Sequence, residues 1–155
     1  LERIDVGDRT RVRLAARSPE TSQRLGSATA PAVLVHQPGK VLDPTLTRCH
    51  RYAVRWGFHA MDVANIFALR STDPKGLKLV DDPNGPGNDK AIVKLAKRAD
   101  LVVVGWGTHA ALNDRHDQVL ELLRPVCTPM CLAVTKHGFP KHPLYLRADL
   151  EPMEF

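Results

Sequence analysis

The sequence lacks most of what would mark a secreted, membrane-bound or metal-held protein. Only three cysteines occur, Cys49, Cys127 and Cys131. The last two are four positions apart and no Cys-x-x-Cys is present. An odd, small number of thiols excludes a disulfide scaffold and points to reduced cysteines in a cytoplasmic protein. The seven histidines are scattered, so no zinc ligand set is expected, and the chain is read as needing neither metal nor cofactor. No apolar run approaches the roughly 18 residues of a membrane span. The opening residues Leu1-Glu2-Arg3-Ile4-Asp5 lack the apolar core of a signal peptide. There is no internal repeat.

What is there is an ordinary globular composition. The 155 residues are 43% hydrophobic and 25% charged, enough for one domain with a proper core. The formal charge is +5 and is unevenly placed. Residues 1–55 carry ten Lys and Arg against five Asp and Glu, whereas residues 56–155 carry twelve of each. Nine of the ten early cations are arginine. A basic segment of this kind is either a solvated face or a footprint for nucleic acid.

Four short apolar runs read as strands covered on both faces: residues 32–35, 61–64, 101–104 and 130–134. Helical patterns alternate with them. Asp43-Pro44 opens the first, with a side-chain cap and a proline in the first turn. Leu46, Cys49, Ala53 and Trp56 share one face of it, Arg48, Arg51 and Arg55 the opposite face, and Gly57 stops it. A second helix is expected from Asn88 or Asp89, as caps, to about Arg98, burying Ile92, Leu95 and Ala96. A third is expected from about Asp114 to Leu123, burying Val119, Leu122 and Leu123. This alternation predicts an α/β fold of three layers (α/β/α) around a central parallel sheet of about four strands joined by right-handed crossovers. Residues 1–30 are expected to add an edge strand or hairpin, within 3–15, and a polar loop; residues 31–155 form the α/β domain.

Ligands of an open parallel sheet bind beyond the carboxyl ends of its strands. The residues expected there are rich in amides, imidazoles and glycine-flanked aromatics. His36-Gln37-Pro38-Gly39 follows the first strand. Asn65 follows the second, with Arg70 and Asp73 close behind, either as ligand contacts or as a pair fixing the Thr72-Asp73-Pro74 turn. Trp106-Gly107 and His109 follow the third, and His142 lies beyond the fourth. Such a rim suits a flat polar ligand: amides read its edge and an aromatic stacks on its face.

Several of these residues fall into an ordered set of motifs. The chain contains Asp43-Pro44-Thr45, Arg48-Cys49, Arg55-Trp56-Gly57, Asn65-Ile66-Phe67-Ala68-Leu69-Arg70, Thr72-Asp73-Pro74, Gly85-Pro86-Gly87-Asn88-Asp89, Trp106-Gly107 and His142-Pro143-Leu144-Tyr145. In that order, over about residues 32–148, it resembles the bacterial and phage domain of unknown function family 1643. More distantly, the layout is similar to the uracil-DNA glycosylase superfamily. Val35-His36-Gln37-Pro38-Gly39 stands where that superfamily has its first motif, Asn65 where it has a base-reading Asn, Trp106-Gly107 at its third turn, and His142-Pro143 at its final motif.

That resemblance implies base excision without metal: a base is extruded into a pocket, its edge read by an amide, and the developing anion supported by an imidazole. On this basis Asn65 reads the ligand and His142 supports the leaving base. Gln37 holds the water-placing position, and the backbone at Gly39 borders the pocket. Arg48, Arg51 and Arg55 are the candidates for contact with a nucleic-acid backbone. The chain departs from the pattern at Gln37, where the superfamily has Asp or Asn, and in lacking Ser after His142-Pro143. Two alternatives therefore stand beside an N-glycosidic hydrolase: a non-catalytic nucleotide- or nucleic-acid-binding module on the same fold, and a small interaction protein with a vestigial pocket.

Overall fold

A computed structural model describes residues 11–16, 44–58, 60–68 and 82–155. The expected strand at 32–35, the segment His36 to Gly39, and Arg70 and Asp73 lie outside the described residues. The elements in chain order are β1 (Arg11–Ala16), α1 (Pro44–Arg55), β2 (Ala60–Asn65), α2 (Asn88–Ala96), β3 (Leu101–Val104), α3 (Arg115–Leu123), β4 (Met130–Cys131) and β5 (Met153–Glu154). Segments of 3-10 helix occupy Gly107–Asp114 and Pro143–Tyr145. The fold is α/β.

The sheet order is β2-β1-β3-β4-β5. β1 runs antiparallel to β2, from Arg11 opposite Asn65 to Ala16 opposite Ala60. It is also antiparallel to β3, from Val12 opposite Val104 to Ala15 opposite Leu101. Parallel pairing joins β3 to β4, with Val103 opposite Met130, and β5 returns antiparallel along β4. The described sheet is therefore mixed rather than parallel throughout, and the early segment expected at an edge has a neighbour on each side. The physical reason is that β1 meets the backbone hydrogen-bonding demand of two strands at once, which a period-two pattern does not reveal. Because β2 and β3 both oppose β1, they run in the same direction, and β4 runs with them. The carboxyl ends of β2, β3 and β4 thus share one edge of the sheet.

Side chains alternate across β3 as the pleat requires. Val102 and Val104 pack into a cluster with Ile92 and Ala96 of α2 and Val119, Leu120 and Leu123 of α3. Val103 and Leu101 join Tyr52 of α1, Trp56 just after it, Leu132 and Leu146 in another. α1 buries Leu46, Cys49 and Ala53 as its spacing predicts, and Tyr52 as well, whereas Trp56 is only half-buried. The helix ends at Gly57, where φ is 80°: Gly57 N donates to Val54 O at 3.0 Å and Phe58 N to Ala53 O at 2.9 Å. This paired closure needs a left-handed residue, and glycine supplies it at no steric cost. The fourth expected strand shortens to Met130–Cys131. Beyond it the chain turns, with Val134 bridging Pro140 and Thr135 N donating to Phe139 O at 2.7 Å.

Candidate functional site

Two assemblies occupy the carboxyl edge of the sheet. The first holds the end of β2. Asn88 Nδ2 donates to the carbonyls of Asn65 and Ile66 at 3.1 and 3.0 Å. Arg115, whose side chain is 1% exposed, donates from Nε to Ile66 O at 2.8 Å and from Nη2 to Asp89. Asn88 and Asp89 thus do not cap α2 through their side chains: the cap position is Gly87, at φ 79°, with no side-chain bond. Asn88 and Arg115 supply the donors that the carbonyls of the β2 exit need, and Asp89 serves indirectly, by accepting from Arg115. Gly85 permits the close passage here, since a Cβ on it would stand 2.8 Å from that of Ala68. Asn65 Oδ1 is buried with no hydrogen-bond partner among the described residues. Such an acceptor is costly to leave empty, by about 1–3 kcal/mol.

The second assembly joins the ends of β3 and β4 into an open cleft of about 410 Å³. One wall is the turn Trp106 to His109. The other runs from Thr135 through Lys141 and His142 to Tyr145 and Leu146. The walls are tied together by Gly107 N donating to Pro140 O at 2.8 Å. Gly105 makes the approach possible, because a Cβ there would meet Pro143 Cδ at 3.0 Å and the Lys141 carbonyl at 3.3 Å. His142 is buried, and its Nδ1 accepts the Leu144 amide at 3.4 Å, capping the short Pro143–Tyr145 helix. With Nδ1 as acceptor, the neutral ring carries its proton on Nε2. The Tyr145 ring lies 5.9 Å from that of His142 and is 68% exposed.

A scan of family models matches residues 36–144 to Protein of unknown function (DUF1643). The chain belongs to this family. No curated protein and no solved structure matches it. The DUF1643 span contains the first assembly and all of the cleft lining except Tyr145 and Leu146, and leaves out β1 and β5.

Within that span, Gly107, His109 and His142 come together in the cleft with Trp106. Trp106 is wholly buried, however, and its Nε1 donates to His116 Nδ1 at 2.9 Å. Its indole is therefore packed into the core rather than presented as a stacking face, and Tyr145 is the aromatic at the cleft mouth. Asn65 lies at the same sheet edge but does not line this cleft; one strand separates β2 from β3, so their ends stand about 10 Å apart. The three α1 arginines differ in their surroundings. Arg55 Nη2 bonds Leu150 O and Glu151 Oε1, each at 2.5 Å, which ties α1 to the chain's last residues. Arg51 is exposed and Arg48 half-buried.

Two DUF1643 residues of consequence are hidden in the sequence. Arg115 and His116 sit side by side at the start of α3, where a polar pair reads as a solvated turn. His116 meets the rings of Phe139 and Phe155 edge-on, with centroids 4.8 and 5.7 Å away. Burial pushes its pKa below the ordinary imidazole value, opposed in part by the Asp117 carboxylate and assisted by Arg124. The signal that could have found it is Trp106 itself, since a buried indole N–H needs an acceptor.

Proposed function

We propose that this DUF1643 protein binds a nucleotide base at the carboxyl edge of its sheet and processes it as a uracil-DNA glycosylase does, by hydrolysis of an N-glycosidic bond. The carrying observation is the shared direction of β2, β3 and β4, which brings Asn65, the Gly105-to-His109 turn and the Lys141-to-Tyr145 wall to one edge. A three-layer arrangement resembling that superfamily is supported by β3, whose alternate residues pack against α1 on one side and α2 with α3 on the other. Asn65 stands at the same sheet edge though outside the cleft, and its empty acceptor supports an edge-reading role toward a base that extends past the cleft to β2. The Nε2–H form of His142 is the form that stabilises negative charge on a departing base.

The second reading, a binding module without catalysis, is favoured by one observation: no carboxylate lines the cleft among the described residues. Oligonucleotides carrying uracil and other modified bases separate the two. A hydrolase leaves abasic sites, and His142→Ala lowers their rate of formation by about 10²-fold or more, the loss expected for one stabilising donor. Binding without abasic sites selects the module. Neither binding nor cleavage on any base removes both readings.

A further inference from the structure

We infer that the cleft carries a phosphoryl-binding subsite made by Lys141, His109, Thr108 and Thr135, with Tyr145 placed to stack on the base of the same nucleotide; this rests on reading the cleft as a nucleotide site. The lining is one-sided. It offers an ammonium, imidazoles and hydroxyls, and no carboxylate among its described residues. A ligand edge with mixed donors and acceptors would use such a wall only in part, whereas an anion with several acceptor oxygens would use all of it.

Local geometry prepares the donors. Lys141 N donates to Ala133 O at 2.8 Å, so its backbone is anchored while the residue stays exposed at the cleft wall. Thr135 Oγ1 already accepts from the amides of His137 and Phe139 at 3.3 and 3.1 Å, which leaves its O–H as the donor. Gly107 holds the opposite wall close, and His109 and Thr108, both exposed, follow it directly. The volume of about 410 Å³ is that of a small-molecule site, sufficient for one nucleotide.

The phosphoryl group can belong to a free nucleotide or to a strand, and calorimetric titration of the full chain distinguishes them. The probes are the common nucleosides, their 5′-monophosphates, inorganic phosphate and a single-stranded oligonucleotide. At least one monophosphate should bind about tenfold or more tightly than its nucleoside. In Lys141→Met that ratio should fall toward one while the melting temperature stays that of the parent. Tighter binding of the oligonucleotide than of any monophosphate assigns the phosphate to a strand. Equal affinity for nucleoside and monophosphate overturns the subsite and leaves the nucleotide reading intact. Binding of inorganic phosphate with no gain from any base keeps the subsite and overturns the nucleotide reading. No binding by any probe overturns both.

Discussion

A guanidinium taken out of water must be answered by acceptors, or the fold loses more than the side chain's packing returns. Arg115 is answered unevenly: by the Ile66 carbonyl, which Asn88 also serves, by a long bond to Gln118 Oε1 at 3.4 Å, and by Asp89, its counter-ion, whose side chain is 48% exposed. Removing the two partners should therefore have unequal effects. Arg115→Met takes away the buried charge and leaves the carbonyl still bonded, at a cost of about 1–2 kcal/mol. Asp89→Ala leaves the charge buried and short of its counter-ion, at a cost of about 2–3 kcal/mol, below the fully buried case because Asp89 is half in solvent. Denaturant unfolding of both single variants and the double variant checks this. The double should be more stable than Asp89→Ala alone, and the reverse order would refute the assignment. His116 gives a pH dependence at the same scale. Its folded-state pKa lies below the unfolded value of about 6.5, so the unfolded chain binds the proton more readily. Stability should be complete above pH 6.5 and fall as pH drops below it, and protonation of Nδ1 would also cost the Trp106 bond. Thermal melts by circular dichroism between pH 5 and 8 should show this slope in the parent and a flatter one in His116→Gln.

At the scale of elements, β1 is the strand on which the sheet turns. It pairs over six residues with β2 and four with β3. A proline at Arg13 removes a ladder bond between two occupied neighbours and leaves a carbonyl without its donor, and the loss should be about 1–3 kcal/mol. Hydrogen exchange gives the direct test: amides of β1 should be among the slowest in the parent, and fast exchange there would contradict the topology. Local elements were largely legible because short-range rules govern them. The apolar run 101–104 became β3, and Gly57 ended α1 by backbone geometry that its residue type announces. What could not be read was which strand lies beside which. Residues 11–16 carry the signal of a strand but none of its position, since pairing is decided by distant partners. Asn88 and Asp89 read as helix caps for the same reason: the carbonyls that claim Asn88 lie more than twenty residues back, and the guanidinium that claims Asp89 lies as far ahead.

For the whole molecule, chemistry at the thiols follows from packing. Cys49 and Cys131 are buried and Cys127 half-buried, and all three are free. Burial raises the pKa of Cys127 and Cys131, which lowers their thiolate fraction at neutral pH. Titration with a disulfide reagent should show slow reaction of the native chain and three prompt equivalents once it is denatured; a prompt native thiol would disagree with this packing. The candidate cleft was legible where residue types follow closely on a strand, as with His109 after β3, and less so at His142, which a turn carries back from the end of β4. It was not legible where function and core share a residue: Trp106 borders the cleft, yet its indole serves His116. One consequence follows from the position of β1, which lies ahead of the family-matched span but inside the sheet. A chain that begins at residue 36 and keeps β5 would expose the raw edges of β2 and β3, and neighbouring molecules would zip together along them. The same geometry makes the protein a natural split system: a short peptide of the β1 sequence, added in trans, should dock between those edges and rescue the trimmed chain from aggregation.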